Sequence, residues 1–86
     1  MLNIRIETVE EKQERIFNSY KNRLIEGSNG NIRFNVIEYL CSFPKIDPFV
    51  MAASIIKEGI AIAFDDSSIS REENKAKERK VKKLLV

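Results

Sequence analysis

Helix beginnings are written into this chain four times, and they govern how its length can be divided. Thr8 is followed three residues later by Glu11, Asn35 by Glu38 and Ser70 by Glu73. At that spacing the short side chain accepts from a free N–H in the first turn, and the carboxylate reaches back to the N–H of the cap. Asp47-Pro48 gives a fourth start, an N-cap followed by proline at the first helical position, where its missing N–H costs nothing. Within 86 residues, four such helices leave space for one core and a few short strands. The expected class is mainly α with minor β, a compact four-helix domain.

Apolar periodicity fills in the elements. A first helix is expected from about Val9 to Glu26, with Val9, Ile16, Phe17, Tyr20 and Leu24 on one stripe, ended by the turn 27–31. Ile32-Arg33-Phe34 alternates and reads as a brief strand before the Asn35 cap. A short helix over 36–42 is stopped by Phe43-Pro44. The helix 48–58 is apolar around most of its circumference, so it is expected at the centre, closed by Gly59. Residues 60–64 alternate large and small side chains as a strand with one packed face does. Residues 2–7 also alternate, and they read either as a strand beside 60–64 or as an extension of helix one. All seven aromatic side chains fall at positions that suggest packing.

The last helix differs from the rest. Residues 71–86 carry seven basic and three acidic side chains, whereas 1–70 carry eight and ten. The formal charge of +2 therefore conceals a slightly acidic body, 1–70, joined to a basic helix, 71–86. Pairs Glu73 to Lys77 and Glu78 to Lys82 at i,i+4 support that helix.

Composition narrows the chemistry. The chain has no histidine and one cysteine, Cys41, which removes His-based triads, Cys/His nucleophile pairs and Cys/His zinc clusters. No catalytic residue, metal or cofactor is expected, and Asp65-Asp66 reads as a polar turn. A lone thiol within Tyr39-Leu40-Cys41 behaves as a small hydrophobe, which points to a reducing, cytoplasmic setting. No apolar run approaches the ~18 residues of a membrane span, so no membrane partner is expected.

The order strand (32–34), helix (36–42), turn, helix (48–58), glycine, strand (60–64) resembles a winged helix-turn-helix domain over residues 9–64. The closest local match is Ile55-Ile56-Lys57-Glu58-Gly59-Ile60-Ala61-Ile62, similar to a recognition helix running through glycine into a wing strand. The resemblance implies DNA binding and transcription regulation, with Arg33, Lys45, Ser54 and Lys57 contacting backbone or groove. It departs from that family in two respects: helix 48–58 offers few polar side chains for base edges, and helix chemistry replaces a second wing strand.

Independently of the resemblance, Arg71, Lys75, Lys77, Arg79, Lys80, Lys82 and Lys83 form a cationic set able to neutralise phosphates. Glu72, Glu73 and Glu78 among them, with no interleaved aromatic, fit a merely solvated helix equally. Two functions remain: a small non-catalytic DNA-binding regulator, or a non-catalytic inhibitor or adaptor that binds an acidic protein surface. A chain this short gains core by pairing, so a homodimer through helix one or the last helix is expected.

Overall fold

The computed structural model describes residues 6–86, and the order of elements is α1 (Val9–Gly27), β1 (Ile32–Arg33), α2 (Phe34–Ser42), α3 (Pro48–Lys57), β2 (Ile62–Ala63) and α4 (Arg71–Lys83). The mainly helical architecture with a minor sheet is the one the capping signals require.

Three of the four helix starts are made as their side chains dictate. Thr8 Oγ1 accepts from Glu11 N at 3.1 Å, which caps the helix, and its hydroxyl donates to Glu11 Oε1 at 3.2 Å. Ser70 Oγ accepts from Glu73 N at 3.1 Å, and Asp47 Oδ1 from Phe49 N at 2.9 Å. The fourth differs. α2 begins at Phe34 with Arg33 at its N-cap and no side-chain cap, so Asn35 lies exposed inside the first turn. The reason is packing: Phe34 is 3% exposed, between Phe49 and Phe64 at ring-centroid distances of 5.1 and 5.2 Å. Burying such a ring outweighs the ~1 kcal/mol of an N-cap.

The strands are shorter than expected and pair in parallel, Ile32 with Ile62 and Arg33 with Ala63. A strand over 2–7 lies largely outside the described residues, and Ile6 and Glu7 take no part in one. The sheet has two strands in the order β1-β2, and β2 leads on to α4 where a wing hairpin would return.

α3 is the central helix. Met51, Ala52, Ala53 and Ile55 are buried, and α1, α2 and α4 all pack against it. The paired alanines let neighbouring helices approach closely. α2 adds Phe34, Ile37 and Cys41, α1 adds Leu24, and α4 adds Val81, which is fully buried. α2 ends in a Schellman turn: Ile46 N donates to Cys41 O at 2.9 Å, with Lys45 at φ 58° in the left-handed position that glycine usually takes.

Two expectations about packing are corrected. Tyr39 and Phe43 are each 65% exposed and meet edge to face at 5.2 Å on the surface of α2, outside the core. Val9, at the head of the expected α1 stripe, is 73% exposed, and its neighbours Thr8 and Glu10 are exposed with it.

Burial also settles the character of Cys41. Desolvation, with a smaller contribution from Asp47, pushes its thiol pKa up and keeps it protonated. Native protein is expected to resist iodoacetamide at mildly alkaline pH, and to become alkylated only as denaturant opens the core. Mass spectrometry reads this, and rapid alkylation without denaturant would show that the α2 and α3 packing is wrong.

Candidate nucleic-acid interface on α4

α4 separates its cations by the work they do. Lys77 Nζ donates to Glu38 Oε1 on α2 at 2.9 Å and stands 5.9 Å from the Phe34 ring centroid. Lys80 Nζ lies 4.2 Å from the centroid of Phe49 on α3, within cation–π range. These two fasten the helix to the core, and the expected Glu73 to Lys77 pair yields to the Glu38 contact. Lys82 pairs with Glu78 at 3.4 Å as its spacing predicts. At the head of the helix Asn74 Nδ2 donates to Asp66 O at 2.9 Å, tying the preceding loop to α4.

Arg71, Lys75, Arg79 and Lys83 remain. They recur every four residues, all are exposed, and none makes an ion pair among the described residues. At 1.5 Å per residue, neighbouring members of this ridge are about 6 Å apart along the axis and the whole row spans about 18 Å. Glu72 and Glu78 lie on the adjoining rows and do not interrupt it. α4 also has a macrodipole arranged to favour it, with Glu72 and Glu73 in the first turn and Lys80, Lys82 and Lys83 in the last.

The other sequence-nominated positions lie elsewhere. Ser54 Oγ accepts from Lys21 Nζ at 3.4 Å, and Lys21 also pairs with Glu58 at 3.1 Å, so Ser54 faces α1. Lys57 is exposed at the end of α3. Arg33 and Lys45 sit at opposite ends of α2, at its N-cap and in its closing turn. Ser54 and Lys57 line one groove with Leu84, next to Lys83, whereas Arg33 and Lys45 lie apart at the two ends of α2, so the eleven nominated residues do not all share one surface.

Comparison with protein-family models, curated proteins and solved structures finds no match. The residues themselves must carry the reading.

No group of three His, Cys, Asp or Glu side chains among the described residues is arranged to hold a metal ion. Asp66 is already engaged: its Oδ1 accepts from Ser68 N at 2.9 Å and from Ser68 Oγ at 2.6 Å, which pulls its pKa down. No described helix is long and apolar enough to cross a membrane. Sequence reasoning missed the surface strip Val36, Tyr39 and Phe43 on α2. Its spacing, i, i+3, i+7, offset from the buried row Phe34, Ile37 and Cys41, was the available signal.

Proposed function

We propose that this domain is a small non-catalytic regulator that binds DNA by its phosphate backbone through the α4 ridge of Arg71, Lys75, Arg79 and Lys83. The observation carrying this reading is that these four cations share one exposed row and make no ion pair among the described residues, while Lys77 and Lys80 are held by Glu38 and Phe49. Base readout through α3, as in a winged helix, is not part of the proposal. α1, α2 and α4 surround α3, and the ridge carries no aromatic side chain to stack on bases. Binding is therefore expected to be indifferent to sequence and strongly salt-dependent.

Four phosphate contacts imply a slope of about −3.6 in log K against log salt for duplex DNA. Fluorescence anisotropy with a random duplex at several salt concentrations measures it. Lys75→Ala with Arg79→Ala should halve the slope to about −1.8, at unchanged helicity by circular dichroism. Failure to bind at low salt would end this reading.

A second reading, a non-catalytic inhibitor or adaptor with a protein partner, is favoured by the exposed strip Val36, Tyr39 and Phe43. Apolar anchors aligned on one helix face suit a protein surface better than a phosphate backbone. In that case the ridge would act by steering toward an acidic partner. Polyglutamate competing as effectively as duplex in the same titration would favour it.

A further inference from the structure

We infer that a second copy of this chain docks along the outward flank of α1, giving an antiparallel, two-fold symmetric α1 pair. The argument starts from spacing. Val9, Gln13, Ile16, Tyr20, Arg23 and Gly27 recur at alternating steps of four and three residues, the seam of a two-helix packing. This seam shares Tyr20 with the row that packs on the core and is otherwise displaced toward solvent from Phe17 and Leu24. Val9, Gln13, Arg23 and Gly27 are exposed, and Ile16 and Tyr20 are half-buried.

Two grooves border the same flank. One, of about 270 Å³, is lined by Arg23, Leu24, Gly27, Arg33, Val36 and Leu40. The other, of about 310 Å³, is lined by Gln13, Ile16, Phe17, Pro44, Lys45 and Ile46. Apolar side chains form much of their lining, Arg23, Arg33 and Lys45 contribute three cations, and no carboxylate lines either groove.

The chain itself supplies the complement. Residues 7–15, which begin α1 and extend beyond the core, hold four carboxylates against two cations. Glu7 and Arg15 pair with each other at 2.8 Å, and Glu10 and Glu14 make no ion pair among the described residues. Val9 within this stretch and Ile6 just before it are apolar, 73% and 86% exposed. The acidic, apolar-tipped start of one α1 thus matches the basic, apolar groove at the end of another.

Antiparallel pairing places both matches at once. With Ile16 at the two-fold axis, Val9 falls opposite the partner's Arg23, and Gln13 opposite the partner's Tyr20. Ile6 then approaches the partner's Gly27 and the groove formed with Val36 and Leu40. Glu10 comes toward the partner's Arg23 and Arg33. Each contact occurs twice, so the assembly closes at two copies, as an isologous interface must. The surface is distinct from the α4 ridge, and the inference stands whether or not the ridge binds DNA.

Light scattering across a concentration series tests it. The mass should rise from 10.0 kDa to twice that value. Val9→Lys together with Gln13→Lys, both at exposed positions and both bringing a cation toward the partner's basic groove, should weaken the dimer at least ~10-fold, a loss of about 1.4 kcal/mol, with helicity unchanged. In a Cys41→Ala background, Ile16→Cys should form an intermolecular disulfide under mild oxidation, because the axis brings the two copies of that position together. A monomeric mass at every concentration would overturn the inference. So would a dimer that the double variant leaves intact, or the absence of cross-linking at position 16 in a chain that still dimerises.

Discussion

Phe34→Ala is expected to lower the unfolding free energy by about 3–5 kcal/mol, the usual cost of deleting a buried aromatic ring. The whole stability of an 86-residue domain is expected to be about 4–13 kcal/mol, so this single change should bring the protein close to unfolding. Phe34 packs with Phe49 from α3 and Phe64 beyond β2, and the Lys77 ammonium of α4 lies over its ring. Four separate stretches of chain thus meet at one side chain. Phe34→Leu, which keeps much of the volume but loses the ring contacts, should cost less, about 1–2 kcal/mol. Urea unfolding followed by circular dichroism provides both values. A loss below about 1 kcal/mol for the alanine variant would mean that the aromatic cluster does not organise the core.

Val81→Asp should be almost as damaging. Val81 is the one residue of α4 that is completely buried, and it faces α3. A carboxylate there must be desolvated or must force the helix away, at a cost above about 3 kcal/mol. Val81→Ala removes only two methyl groups and should cost about 1–2 kcal/mol. The comparison decides how 71–86 relates to 1–70. If the basic helix were an appendage, the aspartate would change stability by less than about 0.5 kcal/mol, and α4 amides would exchange far sooner than those of α3. Docked as it is, α4 should share the protection of α3, and Val81→Asp should remove it.

These two residues also mark how far the sequence could be read. Thr8, Asp47 and Ser70 announced their helices correctly because an N-cap acts on N–H groups within three residues, and no distant contact competes with it. The apolar circumference of 48–58 announced a central helix for a similar reason, since no single solvent-facing side is available to it. Asn35 misled because the cap was set against the burial of Phe34, and that burial depends on Phe49 and Phe64, residues remote in the chain. Tyr39 and Phe43 misled because an aromatic side chain near an apolar run looks the same whether its helix face is covered or not.

The candidate site divides along the same line. That 71–83 would be helical and basic follows from composition and i,i+4 spacing, and the Glu78 to Lys82 pair is formed as read. Which cations remain available could not follow from spacing alone. Lys77 is taken by Glu38, thirty-nine positions earlier in the chain, and Lys80 by the ring of Phe49.

The sequence by itself determined the number of helices, three of their four beginnings, the central place of α3 and the concentration of charge in α4. Each of these rests on hydrogen bonding or periodicity within a few residues. Only the tertiary structure decided that β1 and β2 pair in parallel, that α4 is anchored through Val81, and that Arg71, Lys75, Arg79 and Lys83 form the exposed ridge. Those outcomes depend on which distant side chains share a desolvated space, a property of the folded chain and of no local stretch of it.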